Sequence, residues 1–169
     1  MIASRTSRVS AVLVAGVFVL LAAAVSRAGQ EPKDLDKVPK AVMDALKAKF
    51  PRAKIDKWTK ETEDGKVIYD IEFKQDGRKA EADLAEDGTI QNFEKEFNAK
   101  DLPGAVTEAV EKKYPGSKPK EVMEITEIKD KQEVHGGFEI VLQTADQKEV
   151  EVTVAKDGKI LGDPGAKKE

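Results

Sequence analysis

The run Val67-Ile68-Tyr69-Asp70-Ile71-Glu72-Phe73-Lys74-Gln75-Asp76-Gly77-Arg78-Lys79-Ala80-Glu81-Ala82-Asp83-Leu84 decides the fold. Val67, Tyr69, Ile71 and Phe73 alternate with Asp70, Glu72 and Lys74, and a period of two is the mark of a strand buried on one face. Asp76-Gly77 is a tight hairpin signal. Beyond it Ala80, Ala82 and Leu84 alternate with Lys79, Glu81 and Asp83. A two-residue turn sets the register, so Phe73 faces Ala80, Glu72 faces Glu81 and Asp70 faces Asp83. Asp87-Gly88 is a second turn, leading to a short strand around Ile90. A strand of weaker alternation precedes the run at residues 55–62.

A helix stands upstream. Val38, Val42, Ala45, Leu46 and Phe50 follow i, i+4, i+7, i+8 spacing, one apolar stripe on a polar helix. Pro39 belongs to its first turn, where a missing N–H costs nothing, and Asp36 is a candidate cap or N-terminal charge. Pro51 ends the helix by pushing the preceding residue out of the α conformation.

The whole arrangement is then repeated. Val38-Pro39-Lys40-Ala41-Val42 returns 64 positions later as Leu102-Pro103-Gly104-Ala105-Val106, and Lys49-Phe50-Pro51 as Lys113-Tyr114-Pro115. Tyr69, Ile71 and Phe73 match Phe138, Ile140 and Leu142 at an offset of 69. Ala80, Ala82, Leu84 and Asp87-Gly88 match Val150, Val152, Val154 and Asp157-Gly158 at 70. Both steps in offset fall at turns, where insertions are tolerated, so extra chain is expected near residues 126–137 and 144–147. Asp101 is the second candidate cap, and a weakly alternating strand is read at residues 120–128. The expected fold is α+β: two tandem α-β-β-β-β units, each a helix packed on one face of an antiparallel sheet. The units span 36–97 and 100–163, and 164–169 forms a polar tail.

The run Val38-Pro39, Lys49-Phe50-Pro51, Ala53-Lys54, Trp58, Glu63-Asp64-Gly65, Tyr69, Ile71, Phe73 and Asp87-Gly88 resembles the PepSY-like domains of bacterial envelope proteins. These are grouped with the β-lactamase-inhibitory-protein fold. The resemblance implies an exported binding or inhibitory domain, with peptidases or other envelope enzymes as targets, and it implies no catalytic residue. The second copy departs from it, with Val122 in place of Trp58 and Pro119 in place of Ile55.

The first residues point the same way. Arg5 and Arg8 precede an apolar stretch at residues 11–25, and Ser26 and Ala28 stand at −3 and −1 of a cut before Gly29. That is a secretory signal pattern, read here as 1–28 and expected to be removed, leaving no stable membrane insertion. Fifteen helical residues reach roughly 22 Å, short of a hydrocarbon core of about 30 Å. The chain has no cysteine, which excludes disulfides and a lipidated cysteine. Taking the segment's three arginines from 29 basic residues leaves 26 against 32 acids, a net charge of −6. An acidic chain of this kind argues against nucleic acid or an anionic membrane as partner. A periplasmic or secreted location follows.

Nucleophilic catalysis needs a Ser, Cys or Thr beside an oriented base. After residue 28 there is one serine, Ser117, and one histidine, His135, read as a loop residue in the second unit. Zinc and copper lack the ligands they favour, and no glycine-rich phosphate loop follows a strand. No enzyme and no cofactor are expected.

Two features remain. Trp58, the only tryptophan, reads first as a core residue under the helix and second as an aromatic anchor in an interface. Asp70 with Asp83 and Glu72 with Glu81 set like charges opposite each other on the uncovered sheet face, which normally destabilises a sheet. The plain reading is a solvated face tempered by Lys57, Lys60, Lys74 and Lys79. A basic surface on another envelope protein ranks next, and a weakly held hard cation such as calcium third. The partner-binding candidates are therefore Asp70, Glu72, Glu81, Asp83 and Trp58. The leading function is a non-catalytic binding module that inhibits or regulates an envelope enzyme. Its alternative is an acidic cation-binding or sensing protein without a protein target.

Overall fold

The computed structural model describes residues 34–63 and 65–163. The expected signal segment, 1–28, and the tail, 164–169, lie outside them. Two helices, α1 (Lys40–Lys49) and α2 (Gly104–Lys113), alternate with two runs of four strands. The strands are β1 (Lys54–Glu63), β2 (Lys66–Gln75), β3 (Arg78–Ala85), β4 (Ile90–Glu96), β5 (Lys118–Lys129), β6 (Gln132–Gln143), β7 (Glu149–Val154) and β8 (Ile160–Gly162). They form one antiparallel sheet in sequence order. The fold is α+β.

The prolines and acids at the helix starts sit differently from expectation. Pro39 and Pro103 are the N-cap residues, with the same φ of −55° and ψ of 141°, and neither helix has a side-chain cap. Asp36 and Asp101 lie one turn earlier, in 3-10 turns at Leu35–Lys37 and Ala99–Asp101. The proline carbonyls themselves open the helices, accepting from the N–H groups of Met43 and Thr107 at 3.1 Å each.

Asp76 and Gly77 have φ of 56° and 84°, the left-handed pair that a two-residue hairpin turn matched to strand twist requires. The resulting register pairs Phe73 with Ala80, Glu72 with Glu81 and Asp70 with Asp83. The hairpin of β5 and β6 is longer and turns at Asp130-Lys131, both left-handed without a glycine. His135 is therefore a strand residue of β6, paired with Thr126, and not a loop residue. Alternation there is broken by Gly136, where the register shifts between Ile125 and Thr126.

Two cores lie on one face of the sheet. Val38, Val42, Leu46 and Phe50 pack on Tyr69, Ile71, Phe73, Ala80, Ala82, Leu84 and Phe93. Val106 and Val110 pack on Val122, Phe138, Ile140, Leu142, Val152 and Val154. Directly paired residues share a face, and Phe93 pairs with Thr126, four residues from Val122 on the same strand. Both helices therefore cover the same side. Each large buried side chain contributes roughly 1.5–3 kcal/mol. The turn before β4 docks under α1 so closely that a Cβ on Gly88 would lie 2.6 Å from the Ala41 carbonyl oxygen. Gly158 meets Ala105 in the same way at 2.5 Å. Both glycines are left-handed, so other residues are excluded twice over.

The halves interlock. The β4–β5 pairing, from Asn92 with Glu127 to Glu96 with Met123, makes the sheet continuous. Phe97, at the end of the expected first unit, packs on the second core with its ring 5.0 Å from Phe138. Ile128 of β5 packs on the first core in return. Among the described residues no helix is long and apolar enough to cross a membrane.

Candidate functional site

The sheet face turned away from the helices carries the charge. Period-two alternation sends Asp70, Glu72, Glu81 and Asp83 to this side while their neighbours enter the core. Register then builds two rows across the strands. Lys57, Glu72, Glu81 and Glu94 form one, and Thr59, Asp70, Asp83 and Asn92 the other. Three carboxylates stand side by side in the first row.

Local bonds relieve some of this. Lys57 Nζ lies 2.7 Å from Glu72 Oε1. Lys79 reaches Glu81 at 2.8 Å and Glu121 of β5 at 2.5 Å. Burial opposes charge on Lys79, but its bonds to Glu121 and Glu81 win and raise its pKa. Thr59 Oγ1 donates to Asp70 at 3.3 Å and Asn92 Nδ2 to Asp83 at 2.9 Å. Glu94 Oε2 is buried without a hydrogen-bond partner among the described residues.

Asp70, read as exposed from the sequence, is 6% exposed. Burial first, then the charges of Asp83, Glu81 and Glu72, push its carboxyl up to about 7. Burial and Glu139 raise Glu94 well above the usual range. Across the seam, burial and Glu151 push Glu139 up to about 8, and burial with Glu81 and Glu121 raises Glu151. Glu94, Glu139 and Glu151 were missed in the sequence, although alternation around Phe93, Ile140 and Val152 places each on this face. Their joining into one field depends on β4 meeting β5.

Trp58 does not belong to this surface. It pairs with Ile71, which is fully buried in the first core, so its ring lies on the helix side, 6.2 Å from Tyr69. Lys60, expected to temper the acids, also lies on that side, over the Tyr69 ring. Lys74 reaches Asp56 at 3.8 Å.

Ser117 and His135 are kept apart. Ser117 adjoins the start of β5, whereas His135 pairs with Thr126, about eight residues along the strand or roughly 26 Å. His135 contacts Phe138 and lies 3.4 Å from Glu124. Among the described residues no three His, Asp or Glu side chains converge in a way that could hold a metal ion.

The family model described as "Putative beta-lactamase-inhibitor-like, PepSY-like" matches residues 29–92 and 67–162. The chain belongs to this family. Among solved structures it is similar to a BLIP-like protein from Bacteroides fragilis, at 24% identity, with a TM-score of 0.53 over 74% of this chain and 84% of that one. A DUF2874 family protein from Bacteroides uniformis is similar at 19% identity, with a TM-score of 0.56 over 73% and 86%. A protein from Bacteroides eggerthii described as one of the "putative periplasmic proteins" is similar at 18%, with a TM-score of 0.55 over 74% and 86%. At these identities the likeness concerns the fold. No curated protein matches the chain.

Proposed function

We propose that this PepSY-like chain is an exported, non-catalytic binding module that engages a basic surface of another envelope protein through its uncovered sheet face. By covering that surface it inhibits or regulates an envelope enzyme such as a peptidase. One observation carries the reading: the Glu72–Glu81–Glu94 row crosses three adjacent strands with Lys57 on Glu72, Lys79 divided between Glu81 and Glu121, and no hydrogen-bond partner for Glu94 Oε2 among the described residues. The fold does not demand the row, because Val141 replaces Glu72 in the second half. A partner's lysines and arginines would supply what the face lacks. We read the two halves as diverged copies of one α-β-β-β-β unit, supported by the matching proline caps and glycine approaches.

Affinity capture with residues 29–169 as bait in an envelope extract tests this. The expected result is a basic envelope protein, retained at low salt and lost as salt rises from about 0.05 to 0.5 M. Its enzymatic activity should fall when the bait is added. Calorimetry with calcium alone is the opposing arm: heat of calcium binding with no captured protein would replace this reading by the cation-binding alternative.

A further inference from the structure

The last strand of each half, β4 and β8, covers the strand before it to a different extent. In the first, the Ala85 N–H donates to the Thr89 carbonyl at 2.9 Å, so the backbone groups of Asp83 and Glu81 turn the same way. There they meet Asn92 and Glu94 of β4. In the second, the Thr144 N–H donates to the Lys148 carbonyl at 2.8 Å, so Val150, Val152 and Val154 turn toward β6. Glu149, Glu151 and Thr153 turn away. Thr153 is met by Gly162 of β8. Among the described residues no strand pairs with Glu149 or Glu151 on that side.

The sequence explains the gap. β4 runs for seven residues, but β8 runs for three. Asp163 then accepts the Tyr114 O–H at 2.6 Å and pairs with Lys113 at 2.5 Å. Pro164 follows, with no N–H for a ladder.

We propose that the outer edge of β7 at Glu149–Val152 accepts an added strand from a partner protein, apolar on the helix side and basic on the other. An open edge presents unpaired N–H and C=O groups, and an extended segment satisfies them. β4 shows what fits, since its Phe93 enters the core beside Ala82. In the second half the helix-side neighbours are Val150 and Val152. On the other side Glu151 feels the charges of Glu81 and Glu121, and Glu139 that of Glu151, with Lys79 opposing in part. A carboxylate like Glu94 would add to that repulsion, whereas a lysine or arginine would relieve it. Leu161, 48% exposed on β8, lies at the same edge. The strand addition rests on backbone direction, and only the basic side of the added strand draws on the acidic face proposed above.

The probe is a synthetic seven-residue peptide alternating lysine with valine and phenylalanine, added to residues 29–169. Its control is the same peptide N-methylated at every residue, with unchanged charge, no backbone N–H left to donate and methyl groups along both edges. Amide exchange at Glu149 and Glu151 should be rapid in the chain alone and slow about tenfold or more with the first peptide only. Equal effects of both peptides would reduce the contact to charge and overturn strand addition. Amides already protected would show that the chain's own tail covers the edge. Protection rising with protein concentration would assign the edge to a second copy. Both results overturn the proposal.

Discussion

Phe93 on β4 and Asp163 just after β8, 70 positions apart, show how differently the two halves are closed. Phe93 is 2% exposed, meets Phe50 edge-on at 5.4 Å and lies under Lys49 and Lys95. Opposite Asp163, Tyr114 follows the second helix as its C-cap where Phe50 follows the first, and the ring contact becomes a hydrogen bond. Burial next to the Asp163 carboxylate raises the Tyr114 phenol further still. One half packs its last strand through apolar area, which is non-directional and needs a full strand to carry it. The other uses a directed polar clasp that three residues of strand can hold. The first half thus has a full last strand that continues into β5, and the second a short one that leaves Glu149 and Glu151 unpaired on that side among the described residues.

Phe93→Ala should break the comparison most sharply, costing about 3–5 kcal/mol in denaturant unfolding because it leaves a cavity among aromatic rings. Asp163→Ala should cost less, about 1–3 kcal/mol, by leaving the Tyr114 hydroxyl unmatched. Equal costs would mean that the two closures do the same mechanical work.

A smaller effect concerns pH. Asp70 has its folded pKa raised to about 7 from 3.8, so the unfolded chain releases this proton first. Its contribution to stability falls as pH climbs from about 4 to about 7 and then levels. Asp70→Asn should leave the melting temperature near pH 4 almost unchanged. At pH 8 it should stabilise by on the order of 2 kcal/mol, less than the full shift implies because the site can relax. In the second half Glu139, raised to about 8, extends the window, so the benefit of Glu139→Gln should keep growing until about pH 8. Melting curves of both variants across pH 4–9 check this. A benefit that grew as pH fell would reverse the sign of the argument.

The smallest expected change is at Glu72. Glu72→Gln loses the Lys57 pair and also the repulsion from Glu81, so stability should move by no more than about 0.5 kcal/mol. Chemical denaturation measures it. A loss above about 1 kcal/mol would show that Lys57 binds Glu72 more strongly than Glu81 repels it, and the face would be balanced within the fold.

Local order was legible in the sequence because its causes are local. Alternation around Tyr69 and Phe138 marks strands, the stripes from Val42 and Val106 mark helices, and Asp76-Gly77 sets the register that opposes Asp70 to Asp83. Each signal lies within a few residues of what it specifies. His135 was misread because Gly136 interrupts the alternation, and Asp36 and Asp101 because a proline carbonyl can open a helix unaided. The pairing of β4 with β5 was not legible: it joins strands some 30 residues apart, and two strands of like pattern do not name each other. From that joint follow the common field of Glu94, Glu139 and Glu151, and the exchange of Phe97 and Ile128 between cores. Burial of Asp70 was hidden for the same reason, since a strand pattern tells which side a carboxyl takes but not how much solvent remains there. Only the assembled sheet, through the neighbours it places around each charge, decides that.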